Sequence, residues 1–227
     1  IIALGAAENK VYNHGNTKFD QDYGVTGEET KEKIYQQFKL DPEQPILVAG
    51  STHEGEEEQL LEVYQQLKEE LPELVMLLAP RYIDRTEEIE ELFAEAGVST
   101  IRRSRIKRRE PTEQSVVIVN TIGELAKLYG VADAVFVGGS LIERGGHNIL
   151  EPAAQSKLVF FGPHMFNFKD STELLLQEEV GVQVADKEEL TEELLYYLSR
   201  PEKLQAKQQQ ARELIERNQG AARQTAE

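Results

Sequence analysis

Short, nearly unbroken apolar runs alternate with longer amphipathic stretches along most of this 227-residue chain. A strand covered on both faces needs such a run, and two parallel strands need a helical crossover between them. The alternation therefore predicts an α/β fold built on a Rossmann-like parallel sheet. Strands are expected at residues 46–49, 74–79, 99–103, 116–119, 134–137, 158–161 and 182–185. Helices are expected at 56–70, 86–96, 122–128, 149–155, 172–178 and 188–198. A polar helix over 202–218 carries only a thin apolar stripe of Leu204, Ala211, Leu214 and Ile215, the pattern of light packing.

Residues 1–40 read as a linker with a lead-in helix over 28–38, residues 41–200 as the Rossmann-like domain itself, and 201–227 as a closing helix. The opening Ile1-Ile2-Ala3-Leu4-Gly5, without Met, suggests a piece of something longer. Forty-one acidic against 25 basic residues give a formal charge of -16, which argues against a nucleic-acid binder. Without cysteine there is no disulfide framework, thiolate metal site or cysteine nucleophile. No apolar run approaches the roughly 20 residues of a membrane-spanning helix.

Ligands of open parallel sheets bind beyond the carboxyl ends of the strands, so the residues following each run are the candidates. Ser51-Thr52-His53 follow the first run, Arg81-Tyr82 the second, and Gly138-Gly139-Ser140 the fifth. Gly145-Gly146-His147-Asn148 lies just beyond, with Glu151 a turn later. Glycine lets backbone approach a ligand, so residues 138–148 could cradle a phosphate, or be a plain turn. Ser51 with Glu54, and Asn148 with Glu151, also read as capping boxes, although Pro152 at the opening position of the helix would make Glu151 the cap instead. Glu151 would suit a ribose diol rather than a phosphate. Arg81 reads as a fork for an anion or as half of a surface ion pair.

Two further signals are weaker. Asp20-Gln21-Asp22 has the form of a metal-nucleotide pattern but lacks a preceding buried strand, and reads as a solvated turn, so no metal is expected. Arg102, Arg103, Arg105, Lys107, Arg108 and Arg109 place six cations in eight residues, either a solvated loop or an attraction to an anionic membrane.

Taken together, GNTKFD (15–20), AGSTHEGEEE (49–58), LAPRYIDR (78–85), NTIGELAKLYGVADAVFVGGSL (120–141), GGHNILEPAA (145–154) and FGPHMFNF (161–168) resemble the bacterial 3-deoxy-D-manno-octulosonic acid (Kdo) transferases. The resemblance runs from about Gly15 onward and implies the C-terminal, donor-nucleotide half of a GT-B fold. It implies transfer of Kdo from CMP-Kdo to lipid A precursor at the cytoplasmic face of the inner membrane, with no cofactor. It would set Arg81 and the Gly138-Gly139-Ser140 turn at the CMP phosphate and Ile122 and Gly123 near the base. Asn148 and Glu151 would hold phosphate and ribose, and Ser51, Thr52 and His53 would line the interdomain cleft. Tyr82 stands where the family usually has His, and Asn120 where it usually has Asp. The family's general base, a Glu, and its acceptor site belong to an N-terminal half with no counterpart here, so this chain alone is expected to be inactive.

Overall fold

The structure, a computed structural model, describes residues 24–218 together with Gly5 and Ala7. The GNTKFD segment and Asp20-Gln21-Asp22 lie outside the described residues. In chain order the elements are α1 (Glu28–Phe38), β1 (Ile46–Thr52), α2 (Glu57–Glu70), β2 (Val75–Pro80), α3 (Thr86–Glu95), β3 (Thr100–Arg102) and β4 (Val116–Ile118). There follow α4 (Leu125–Tyr129), β5 (Ala134–Val137), α5 (Leu150–Ala154), β6 (Leu158–Phe161), α6 (Lys169–Gln177), β7 (Gly181–Gln183), α7 (Lys187–Leu198) and α8 (Pro201–Asn218). A 3-10 turn over Arg103–Arg108 joins β3 to the segment before β4.

The seven strands among the described residues pair in parallel, in the order β3-β4-β2-β1-β5-β6-β7. One apolar cluster forms on each face of the sheet. Val48, Leu77, Val117, Val135 and Val159 point to one, and Leu47, Met76, Val116, Phe136 and Phe160 to the other. Alternation along a strand sends neighbouring side chains to opposite layers, which is why the runs are apolar without a break. Each such side chain, fully buried, contributes on the order of 2 kcal/mol.

Ile34 and Phe38 of α1, and Ala211, Leu214 and Ile215 of α8, belong to the first cluster, and Leu204 to the second. The thin stripe of α8 is thus buried throughout and packs more firmly than its polar composition suggests. The expected element boundaries shift where polar contacts intervene. α4 begins at Leu125 rather than 122, because Gly123 takes φ +83 and the Thr121 hydroxyl bonds the Glu124 carboxylate. α7 begins behind Asp186, whose carboxylate accepts the Glu189 amide at 2.9 Å.

From β1 the chain steps to β2 on one side, and later returns to lay β5 on the other. Connections leaving β1 and β5 therefore diverge, and a crevice opens beyond their carboxyl ends.

Candidate functional site

β1 ends in an irregularity between Gly50 and Thr52, with Ser51 in the left-handed region at φ 57. Gly138 comes close to this bend, and a Cβ there would lie 2.5 Å from the Ser51 carbonyl oxygen. Only glycine lets the two strand ends meet this way. Past the bend sits Glu56, fully buried at the start of α2. Its Oε2 accepts the amides of Gly139 (2.7 Å) and His53 (3.1 Å), and its Oε1 those of Ser140 and Leu141 (both 3.0 Å). Four donors aimed at two oxygens suit a carboxylate. Burial pushes this carboxyl up, while the four N–H groups oppose the shift.

The Gly138-Gly139-Ser140 turn is thus an amide nest, as its glycines suggest, but the anion in it is internal. The Gly139 and Ser140 N–H groups point at Glu56 and that of Gly138 at the Gly50 carbonyl (2.8 Å), so this turn is a structural clamp rather than the expected phosphate cradle. Ser140 itself is buried, donates from Oγ to the Val137 carbonyl (2.6 Å) and accepts the Gly162 amide (2.9 Å). Its hydroxyl ties β5 to the loop after β6.

Two imidazoles meet at the crevice. His53 Nε2 lies 2.8 Å from His147 Nε2, with the rings parallel within 5°. Such a bond needs one ring to donate and the other to accept, so at least one of the two is neutral. Burial lowers both, and the neighbouring charges act the same way. His53 falls to about 4 through burial, His147, Arg144, Arg81 and Arg85, and His147 falls through burial and Arg81. Tyr82 packs its edge on His53 (centroids 5.7 Å apart), and Arg81 lies 5.8 Å from the Tyr82 ring centre. The tyrosine therefore serves as a wall of the crevice.

Neither Arg81 nor Arg144 has a carboxylate partner among the described residues, so the ion-pair reading of Arg81 falls away. By contrast, Arg85 is committed: it pairs with buried Glu57 at 3.0 Å, which also accepts the Thr52 hydroxyl at 2.9 Å. Thr52, fully buried, is thereby a structural member of the cleft wall rather than an open donor. No side chain caps α2, so the proposed box of Ser51 with Glu54 does not form.

Asn148 Oδ1 accepts the Leu150 amide (3.1 Å), which opens α5. Glu151, in the first turn of α5, is half-buried. Burial alone raises its carboxyl, without an ion pair or hydrogen bond among the described residues. Ile122 is 86% exposed beside Gly123, on the loop after β4. Asn120 donates to Ser104 Oγ and accepts the Ser104 amide, both at 3.0 Å.

The basic segment divides. Arg102 pairs with Glu90, Arg103 with Glu124 while its guanidinium lies 4.5 Å from the Phe38 ring centre, and Arg109 is fully buried. Arg109 donates to the carbonyls of Phe38 and Lys39 (both 2.7 Å) and Gln114 (2.9 Å). The segment is a 3-10 turn anchored by buried Ile106, which corrects the solvated-loop reading. Arg105, Lys107 and Arg108 have no acidic partner and no side-chain hydrogen bond among the described residues, and lie along an open groove of about 900 Å³ that also touches Thr121 and Glu124. Among the described residues no group of three His, Cys, Asp or Glu is placed to hold a metal ion, and no helix is long and apolar enough to cross a membrane.

Glu56, Glu57 and Arg144 are the site residues that the sequence reading passes over. The first two sit in Gly55-Glu56-Glu57-Glu58, which has the look of a solvated helix start.

No family model matches the chain. A bifunctional glycosyltransferase/methyltransferase of Fusobacterium nucleatum is 36% identical over 190 residues, 83% of this chain and 29% of that protein. The 3-deoxy-D-manno-octulosonic acid transferase of Haemophilus influenzae is 37% identical over 183 residues, 80% of this chain and 42% of that protein. The chain therefore spans less than half the length of these curated relatives. Among solved structures, the C-terminal CMP-Kdo binding domain of WaaA from Acinetobacter baumannii superposes with a TM-score of 0.75 at 29% identity, covering 82% of this chain and 96% of that one. Sheet order and strand-end site define a Rossmann-like domain of the GT-B glycosyltransferase type. Within that class the chain is a relative of the Kdo transferases and matches their C-terminal portion.

Proposed function

We propose that this domain binds the CMP part of CMP-Kdo and forms the donor half of a Kdo transferase, which passes Kdo to lipid A precursor in lipopolysaccharide biosynthesis. The observation that carries the reading is the crevice between β1 and β5, where two arginines without a carboxylate partner among the described residues, Arg81 and Arg144, neighbour the His53–His147 pair. Glu151, a carboxylate without a partner among the described residues, stands at the start of α5. The arginines suit a phosphate and the carboxylate suits the ribose hydroxyls. Ile122 supplies a face for the base. As the bond from Kdo to the CMP phosphate breaks, charge grows on the departing phosphate, and cations already in place stabilise it without reorganisation.

Proton removal from the acceptor hydroxyl falls to a Glu in the N-terminal half of the longer protein, so this chain alone does not turn over. The lipid acceptor binds that half too, at the cytoplasmic face of the inner membrane. Arg105, Lys107 and Arg108 face the anionic lipid there. A calorimetric panel of CMP, UDP and GDP tests the assignment. Preference for CMP is expected. Preference for UDP or GDP assigns the crevice to another GT-B transferase or a sugar-nucleotide epimerase, and no binding leaves a scaffold domain.

A further inference from the structure

We infer that Glu56 is a positioning residue for this site: its carboxylate is the built-in anion that clamps the ends of β1 and β5 and so sets the loop carrying Arg144, His147 and Glu151. The clamp joins distant parts of the chain. Glu56 holds the His53 amide three residues away and the Gly139, Ser140 and Leu141 amides 83 to 85 residues away. Successive backbone N–H groups beside a helix start attract an anion, and here a side chain fully removed from solvent supplies it. The loop beyond is fastened to the same turn, because the Gly146 amide donates to the Gly139 carbonyl at 2.7 Å. A Cβ on Gly139 would approach the His147 ring to 3.2 Å, so the turn and the imidazole are in contact.

Two consequences follow for a ligand. With the nest filled from within, an incoming phosphate meets side chains, namely Arg81, Arg144 and the imidazoles, instead of the Gly139, Ser140 and Leu141 amides. The distance between those side chains and Glu151 is fixed from behind by Glu56, which itself touches no ligand. Replacing the carboxylate by an amide of the same shape leaves one accepting oxygen and turns two new donors toward existing ones, so part of the nest is left unpaired. The consequence for nucleotide affinity rests on the proposed function; the hold on the amides does not.

The test reads both separately. In the unaltered protein, the amide protons of Gly139, Ser140 and Leu141 should move on acidification with the same midpoint as the Glu56 carboxyl carbon. In Glu56→Gln those amides should lose protection from exchange by about tenfold or more, and CMP affinity should fall by a similar factor. In Glu56→Ala, sodium formate should enter the vacated nest and restore both, whereas formate should not rescue Glu151→Ala. Amides indifferent to the Glu56 titration overturn the proposal without any variant. So does a folded Glu56→Gln protein that keeps wild-type protection and CMP affinity, or a folded Glu56→Ala protein that formate leaves unchanged. If the unaltered protein binds no CMP, the functional reading fails while the amide measurements still decide the role of Glu56.

Discussion

His53 Nε2 and His147 Nε2 share one hydrogen bond of 2.8 Å, and that bond spans the ends of the two strands between which the sheet changes direction. Both rings are held below their usual range, His53 at about 4, first by burial and then by neighbouring positive charge. In the unfolded chain the same histidines titrate near about 6.5. Between those values the unfolded state binds more protons, so stability rises with pH across that window and is lost as pH falls through it. Because the crevice is partly open to solvent, the His53 contribution is on the order of 1 kcal/mol. Thermal melts from pH 7 to about 4 should show a steeper fall for the unaltered protein than for His53→Gln. Parallel curves would mean that the pair is not held neutral.

Arg81 and Arg144 have no carboxylate partner among the described residues, whereas Arg85 neutralises the buried Glu57. Arg81→Gln and Arg144→Gln should therefore change stability by less than about 0.5 kcal/mol. Each should weaken CMP binding by about 1.5 to 3 kcal/mol, the worth of a charge-assisted hydrogen bond. Arg85→Gln should do the opposite, costing about 3 kcal/mol of stability by stranding a buried carboxylate. Urea unfolding and calorimetry on the three variants separate the two classes, and equal destabilisation by all three would contradict the assignment.

Glu151 buries a carboxylate that nothing among the described residues pairs. Glu151→Ala should raise the melting temperature slightly, since removing a partly desolvated charge relieves a cost. It should also cost about 1 to 3 kcal/mol of CMP binding, and clearly less with 2′-deoxy-CMP, which offers one hydroxyl fewer. Equal losses for the two nucleotides would leave Glu151 with no part in ribose recognition.

Of the six cations near the edge of the sheet, three are consumed by Glu90, Glu124 and backbone carbonyls. The remaining Arg105, Lys107 and Arg108 contribute about 1 kcal/mol each near an anionic bilayer. The chain's formal charge of -16 opposes them over a Debye length of roughly 8 Å. Vesicle flotation should therefore show binding to anionic lipid at low salt, lost when all three become Gln and lost with added salt. Binding unchanged in the triple variant would remove the membrane role.

The strands were legible because a doubly covered strand leaves an apolar run that no surface segment shares, and every expected run became one. The strand-end loops were legible as a site for the same topological reason. What the sequence could not display was which polar groups turn inward. Glu56 and Glu57 read as the acidic start of a helix, yet the amide nest and Arg85 draw them into the interior. Arg109 looks like one more solvent cation, but the carbonyls that hold it come from the end of α1, some 70 residues away. Contacts at such separation leave no local pattern. Arg144 escaped notice because an isolated arginine in a loop becomes informative only once its lack of a partner is known.

The most direct test of the account is an amide chemical-shift titration of this chain with CMP. The predicted result is a saturable set of shifts at Ile122, Gly123, Arg81, Arg144, His147 and Glu151, with the Gly139 to Leu141 amides moving little because Glu56 already occupies them. No shifts at millimolar CMP, or shifts confined to the Arg103–Arg108 groove, would contradict it.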